Sequence, residues 1–207
     1  MKAPYVIQRY PVHMIDVMRT TDGRRITIRP TLPQDRELQK EFFRSLSAES
    51  RHSRFMTRLK ELPDALAEQF ASIDYRSHLA LLAEVFDGRR ETMIGEARYV
   101  VDADDRELCE FAISVADSWR RCGLGSALLS RLEHEAAVSG ITLMSAQTLV
   151  SNKAMLGLAV RRGYRVIANR YDASQADLEK KLATATAPSL VQTVTACWTK
   201  LETGEAR

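Results

Sequence analysis

The stretch that decides the fold runs from Glu110 to Ala127 and reads EFAISVADSWRRCGLGSA. Its first half alternates large apolar residues with small or polar ones, which is typical of a β-strand ending near Val115. Its second half is a short loop that leads into a helix beginning around Gly123. The first backbone N–H groups of a helix lack partners within it and carry partial positive charge. This junction therefore predicts a binding site for an anion such as phosphate or pyrophosphate.

Two glycines and two arginines in the loop support this interpretation. Gly123 and Gly125 lack the β-carbons that would keep a phosphate away from the backbone, and Arg120 and Arg121 add positive charge beside it. The same pattern also fits a tight strand-to-helix turn with two surface arginines. Neither a full Gly-x-Gly-x-x-Gly nor a P-loop pattern is present, so dinucleotide-binding and P-loop folds are poor matches.

Strand and helix signals alternate on both sides of this stretch, which favours one mixed α/β domain. Strands are predicted at 13–18, 25–29, 79–86, 92–101, 107–115, 141–149 and 164–171, and helices at 31–46, 47–56, 64–73, 123–138 and 152–162. Ser174-Gln175-Ala176-Asp177 predicts the start of a late helix. A final strand is predicted at 190–198, where it either completes the sheet or pairs with a second subunit in a homodimer.

Composition excludes several classes of function. The chain has 207 residues, 45% hydrophobic and 28% charged, with a net charge of +3, so no nucleic-acid partner is expected. Its three cysteines and four histidines are scattered, which predicts neither a disulfide framework nor a metal site. The N-terminus lacks the apolar core of a signal peptide, and no apolar run approaches the roughly 20 residues that span a bilayer. A cytoplasmic location without a membrane partner is therefore expected.

A known family shares these features. Residues 120–125 fit the pattern (Gln/Arg)-x-x-Gly-x-(Gly/Ala), and Asn152 is followed eleven and twelve positions later by Gly163-Tyr164. In both motifs, and in the order of its elements over residues 25–172, the chain resembles the GCN5-related N-acetyltransferases. The resemblance implies an α/β fold whose mixed central sheet splays at the cofactor site and carries helices on both faces. Residues 25–172 would form the acetyltransferase core, 1–24 an N-terminal hairpin extension, and 173–207 a helix and strand of the same domain.

One subgroup of that family is more similar than the others. The segments 26–30 (ITIRP), 42–55 (FFRSLSAESRHSRF) and 110–113 (EFAI), together with Asp35, are similar to the acetyltransferase domain of bacterial protein lysine acetyltransferases. The acyl-CoA-synthetase-like region of those enzymes has no counterpart here, so we expect a stand-alone relative. The resemblance implies transfer of an acetyl group from acetyl-CoA to an amine, with a protein lysine favoured as acceptor. A small-molecule amine is the alternative.

The resemblance also implies which residues hold acyl-CoA. The pyrophosphate would bind the loop residues Arg120, Arg121, Gly123, Leu124, Gly125 and Ser126. The strand end from Ile113 to Val115 would pair its backbone with the pantetheine arm, as though the ligand were an added strand. Asn152 would hydrogen-bond the pantetheine. Asparagine is also a common N-cap, and one residue can fill both roles.

Glu110 is the candidate catalytic base. A lysine-type amine has a pKa near 10.4 and is mostly protonated at neutral pH, so the reaction needs a proton acceptor. Glu110 lies within the strand, opposite Cys109 and Phe111, where apolar surroundings would favour a general base. An ordinary solvent-facing strand glutamate is the other interpretation. Backbone N–H groups at the strand end could polarise the thioester carbonyl.

The sequence departs from the family pattern at one position. Many family members carry a tyrosine seven residues after the asparagine, where it protonates the leaving thiolate, and this chain has Ala159 there. The thiolate of CoA could leave unprotonated, since thiols have a pKa near 8.5. The missing tyrosine also keeps open a non-catalytic acyl-CoA sensor as a second alternative.

Overall fold

The structure is a computed structural model that describes residues 10–20, 23–88 and 90–183. Within these residues, eight strands form one sheet and five α-helices cover it. The strands are β1 (Asp16–Arg19), β2 (Arg25–Pro30), β3 (His78–Asp87), β4 (Arg90–Val101), β5 (Leu108–Val115), β6 (Leu143–Leu149), β7 (Arg165–Ala168) and β8 (Gln175–Lys181). The helices are α1 (Arg36–Ser45), α2 (Ala48–Phe55), α3 (Asp64–Ala71), α4 (Leu124–Val138) and α5 (Lys153–Arg161).

The predicted fold is confirmed as a mixed sheet with helices on both faces. The strand order is β1-β2-β3-β4-β5-β6-β8-β7, in which only the β5–β6 pair is parallel. Phe42 of α1 packs with Leu82 and Met93 on one face. Leu128 of α4 and Ala159 of α5 belong to the large core on the other face.

The parallel pairing between β5 and β6 is short. It joins Leu108 to Leu143, Cys109 to Met144 and Glu110 to Ser145, and then stops. Beyond that point β5 stays paired with β4 as far as Val115, while β6 stays paired with β8 as far as Leu149. The sheet therefore splays into a gap between the ends of β5 and β6, as the family resemblance implied.

The predicted late helix is wrong. Residues 175–181 form strand β8, which pairs antiparallel with both β6 and β7. Ala176 and Leu178 are buried whereas Gln175 and Asp177 are half-buried, a period of two that marks a strand. The Asp172 carboxylate accepts hydrogen bonds from the backbone N–H and hydroxyl of Ser174, at 2.8 and 2.6 Å. The polar signal read as a helix start is thus a side-chain-stabilised turn.

Two further predictions concern strands near the ends of the chain. The first strand begins at Asp16, because residues 12–14 form a 3-10 turn instead of its predicted start. The strand predicted at 190–198 lies outside the described residues.

A partly buried guanidinium joins three strands to the start of α1. The two terminal nitrogens of Arg29 on β2 lie 2.7 and 3.0 Å from the Asp35 carboxylate, and one of them lies 2.9 Å from Glu91. The Arg29 Nε donates to both carboxylate oxygens of Glu84, at 3.2 and 3.1 Å. Three carboxylates thus surround one cation. Burial and the neighbouring Glu91 carboxylate raise the pKa of Glu84 to about 7, against the opposing effect of Arg29.

This cluster predicts a stability that depends on pH. Glu84 keeps its proton to about pH 7 in the folded chain, whereas in the unfolded chain it releases the proton near its ordinary pKa of 4.5. Between pH 4.5 and about pH 7 the folded chain therefore binds one more proton than the unfolded chain, and the free energy of unfolding falls as the pH rises. Above about pH 7 Glu84 is ionised in both states and has no further effect on this pH dependence. In urea denaturation, we expect the free energy of unfolding of Glu84→Gln to rise relative to that of the parent by on the order of 1 kcal/mol between pH 5 and pH 7. Exposed Glu61→Gln is the control, and parallel profiles for parent and Glu84→Gln would contradict the assignment.

Candidate active site

The loop between β5 and α4 ends in an uncapped helix start. Arg121 and Gly123 have left-handed backbones, with φ of 62° and 88°, which turn the chain sharply into α4. The first helical hydrogen bond runs from the Ala127 N–H to the Gly123 carbonyl at 3.0 Å. In the described part of the chain, neither a side-chain cap nor another acceptor meets the N–H groups of Leu124, Gly125 and Ser126. These donors can bind an anion.

Small residues let this helix start lie close to the sheet. A β-carbon added at Gly95 on β4 would stand 3.1 Å from Leu128 Cδ1 of α4, so a larger residue would push the helix outward. A β-carbon on Gly125 would meet Leu158 at 3.5 Å and Val115 at 3.8 Å, which is ordinary contact. Gly125 therefore lies beside the end of β5, where the gap opens. The sequence reasoning identified Gly125 but missed Gly95, because that close approach depends on tertiary packing.

Helix α2, on the other face of the sheet, is hydrogen-bonded to the loop that precedes α4. The Asp117 carboxylate accepts hydrogen bonds from the Ser47 backbone N–H at 2.9 Å and the Ser50 hydroxyl at 2.6 Å. Arg120 pairs with Asp117 at 3.1 Å and donates to the Ser50 hydroxyl at 2.8 Å. Partial burial acts to raise the pKa of Asp117. The hydrogen bonds from Ser50 and Ser47 and the charge of Arg120 outweigh this effect, so that the pKa of Asp117 is lowered. Sequence reasoning missed this network, because its two halves lie about 70 positions apart.

Trp119 forms a second brace for the loop. The Arg24 guanidinium carbon lies 3.7 Å from the centroid of the Trp119 ring, a cation–π contact. Trp119 also packs against the hydrophobic clusters on both faces of the sheet. The Cys122 thiol donates to the Trp119 carbonyl at 3.0 Å. The polypeptide between β1 and β2 thereby contacts the loop that precedes α4.

The two sides of β5 carry different chemistry. Ile113 and Val115 are half-buried and pack against the core beneath α4. Glu110 points to the opposite face, toward α2 and α3, and its side chain is exposed. The apolar surroundings expected for Glu110 from the sequence are therefore not found, and the solvent-facing interpretation describes its position. An exposed carboxylate beside the gap can still accept a proton from an incoming amine.

Asn152 is the N-cap of α5. Its side-chain carbonyl accepts from the Met155 N–H at 3.1 Å, and its amide nitrogen donates to the Thr148 hydroxyl at 3.3 Å. The N-cap interpretation is confirmed. A contact between Asn152 and pantetheine stays a prediction.

No tyrosine near the motif replaces the missing acid. Ala159 is fully buried. Tyr164 packs on Phe111 with ring centroids 5.1 Å apart, and its hydroxyl faces the Met144 sulfur at 3.8 Å. Burial and the nearby Glu133 raise the pKa of Tyr164, which makes it a poor proton donor. Tyr171 is 98% exposed.

A buried ion pair lies behind Glu110 on the face of the sheet that α1, α2 and α3 cover, which we call the α1–α3 face. Arg98 donates from Nε to Glu96 at 2.7 Å, and Gln39 donates to the same carboxylate at 3.4 Å. The Nη1 atom of Arg98 lies 3.2 Å from His78 Nε2. Burial and the Arg98 charge lower the pKa of His78, so this imidazole is neutral at physiological pH. Glu96 and Arg98 thus neutralise each other beneath the surface.

Two kinds of site are not found in the described ranges. Among those residues, no group of three or more His, Cys, Asp or Glu side chains converges as metal ligands do. No helix there combines the length and apolar character needed to cross a membrane.

The sequence and the fold match a known family. The sequence pattern of the Acetyltransferase (GNAT) family matches residues 37–164, and the chain belongs to that family. It is therefore an acetyltransferase of the GNAT class, whose members use acetyl-CoA.

Particular relatives sharpen that assignment. The chain is 33% identical over 143 residues to acetyltransferase PA5475 of Pseudomonas aeruginosa, covering 69% of this chain and 76% of that protein. It is 29% identical to acetyltransferase Pat of Mycolicibacterium smegmatis over 66% of this chain, a match that spans only 40% of Pat. Its structure resembles the GNAT domain of S. lividans PAT with a TM-score of 0.76 and 25% identity, covering 84% of this chain and all of that domain.

The Asp117 network predicts a measurable loss of stability. Asp117→Ala removes the shared acceptor of Ser47, Ser50 and Arg120, so we expect chemical denaturation to show a loss of about 1–2 kcal/mol at pH 7. Since the pKa of Asp117 is lowered in the folded chain, the loss should shrink as pH falls through the ordinary range of aspartate. Asp104→Ala, on an exposed turn, is the matched control. Equal stability of the two variants at pH 7 would contradict the network's role.

Proposed function

We propose that this acetyltransferase moves an acetyl group from acetyl-CoA to an amine, and that its acceptor is a lysine side chain of a protein. The observation that carries the proposal is the gap between β5 and β6, which opens beside the unpartnered N–H groups at the start of α4. A gap at a strand end suits an extended ligand, and the helix start suits the phosphates attached to it. Acyl-CoA combines both features in one molecule.

Each part of the ligand would have its own binding residues. The pyrophosphate would bind the loop residues Arg120, Arg121, Gly123, Leu124, Gly125 and Ser126. The pantetheine arm would lie along Ile113 to Val115, where β5 has lost its β6 partner. Asn152 would contact the arm from the start of α5, after releasing its hydrogen bond to Thr148. Exposed Arg121 is available as a further phosphate contact.

The reaction needs one base. Glu110 would take a proton from the ammonium form of the acceptor, and the neutral nitrogen would attack the thioester carbonyl carbon. As the tetrahedral intermediate collapses, the C–S bond breaks, the C–N amide bond remains, and the nitrogen gives its second proton to solvent water. The departing thiolate takes up a proton from solvent to give CoA, because the chain offers Ala159 where a tyrosine acid would stand. An exposed Glu110 would then return its proton to water.

The choice of acceptor rests on the relatives and on the open position of Glu110. Two relatives named Pat or PAT match this chain at 29% and 25% identity, and the resemblance of this chain to bacterial protein lysine acetyltransferases supports a protein substrate. Glu110 is exposed at the surface of the domain, where the flexible side chain of another protein could reach it. A small-molecule amine is the second candidate, and turnover of free polyamines alone would favour it.

Calorimetric titration with acetyl-CoA tests the binding site. We expect one site on the parent and at least a tenfold loss of affinity in Gly125→Glu, because the new carboxylate would repel the pyrophosphate, a penalty of about 1.4 kcal/mol or more. Val138→Glu adds the same charge at the far end of α4, at an exposed position, and should bind like the parent. If the folded parent does not bind acetyl-CoA, the proposed ligand is wrong.

Glu110→Gln tests the base. We expect a fall in kcat of about 10²–10⁴-fold with unchanged affinity for acetyl-CoA, because the amide accepts no proton. The measurement is acceptor-dependent release of CoA thiol, with Glu107→Gln as a nearby exposed control. Binding of acetyl-CoA without CoA release from any acceptor, in parent and variant alike, would favour the non-catalytic sensor.

A further inference from the structure

The Arg54 guanidinium contacts aromatic rings on the α1–α3 face of the sheet. The guanidinium of Arg54, on α2, lies 4.9 Å from the ring centroid of Phe55 and 5.8 Å from that of Phe70. Within residues 10–20, 23–88 and 90–183, it forms neither a hydrogen bond nor an ion pair. It lines a cavity of about 20 Å³ together with Glu96 and Ser114. That volume is enough for one water-sized group, such as a carboxylate oxygen.

The carboxylates nearest to Arg54 do not satisfy it. Glu96 already accepts from Arg98 and Gln39. Glu110 lies on the same face, because the β4–β5 register places Ser114 opposite Glu96 and Glu110 opposite Val100. Its exposed carboxylate lies beyond the 4.0 Å limit of an ion pair with Arg54. Glu96 therefore lies near the charges of both Arg98 and Arg54, but it forms a hydrogen bond only with Arg98 of the two, and Glu110 forms none with Arg54.

The environment makes an anionic partner favourable. Burial, with Arg98 acting in the same direction, lowers the pKa of Arg54 to about 10, while Glu96 and Glu110 oppose the change. The guanidinium is therefore still charged at neutral pH. A partly buried charge without a hydrogen-bonding partner is costly, and an anion that reaches it gains a charge-assisted hydrogen bond in surroundings of low polarity.

We propose that Arg54 is a specificity residue that binds an anionic group of the acceptor, next to the amine that reacts at Glu110. The preferred acceptor would then be an amine with a carboxylate close by. This inference rests on the proposed function and deepens it. The carboxylate has two possible sources, which are an acidic residue beside an acceptor lysine and the α-carboxylate of a free amino acid.

Two pairs of acceptors separate these sources. The first pair consists of capped peptides that differ only in whether aspartate or asparagine flanks a single lysine. The second pair is alanine and alaninamide. With saturating acetyl-CoA, we expect the acidic member of one pair to show about a tenfold higher kcat/KM, equivalent to about 1.4 kcal/mol. A preference for the aspartate peptide identifies the protein source, and a preference for alanine identifies the amino-acid source.

Arg54 variants then test the residue itself. Arg54→Gln should reduce the preference to less than about twofold by raising KM for the acidic acceptor, while KM for acetyl-CoA stays within about twofold of the parent. Arg54→Lys should retain part of the preference. Exposed Arg58→Gln, a matched change near the end of the same helix, should retain all of it. Circular dichroism checks that each variant is folded.

The outcomes distinguish this inference from the proposed function. The role of Arg54 is overturned if the parent turns over both members of each pair equally well. It is also overturned if the preference survives in folded Arg54→Gln. Either result leaves the acetyltransferase assignment in place. A lack of turnover with every acceptor overturns the proposed function and this inference with it. Because the parent's preference alone can refute the proposal, the test does not depend on the folding of Arg54→Gln.

Discussion

The parallel ladder between β5 and β6 stops after three residue pairs, and the site depends on that interruption. Past Glu110 and Ser145, each strand continues with a partner on its outer side only. Backbone groups that a closed sheet would use internally become available to a ligand. Pairing with β4 then carries β5 on to Val115, which lies beside Gly125 at the start of α4. A continuous sheet would offer the same helix start but no adjoining strand edge.

The sheet divides the site into two halves with different tasks. On one face, α4 and α5 supply the uncapped N–H groups and Asn152. On the other face, α1, α2 and α3 enclose Glu96, Arg98 and Arg54 behind the exposed Glu110. The loop that contains Trp119 and Arg120 passes between the two halves. A hydrogen bond to Ser50 of α2 and a cation–π contact with Arg24 hold this loop in place.

The sequence was most informative where chemistry and local conformation coincide. The residues from Arg120 to Gly125 predicted the strand-loop-helix junction, because glycines permit the sharp turn that leads into the helix. The alternation from Glu107 to Val115 placed Glu110 correctly opposite Cys109 and left two interpretations of its surroundings open, of which the structure shows the solvent-facing one. The same alternation was missed at 175–181, where a turn stabilised by Asp172 resembled a helix start. Gly95, Asp117 and Arg54 escaped notice because their roles arise from contacts between distant segments.

The short β5–β6 ladder has a consequence for the lifetime of the protein in a cell. Within the described residues, the ladder that joins the half-sheet β1–β5 to the half-sheet β6–β8–β7 has three residue pairs, and the Thr142 and Leu143 N–H groups add hydrogen bonds to the Glu107 carbonyl just before it. A ligand that lies in the gap and contacts both strands acts as an additional strand, so its binding energy adds to the cohesion of the sheet. Proteolysis that proceeds through opening of the domain slows as that ligand becomes more abundant. A ligand bound in this gap would thus lengthen the lifetime of the domain.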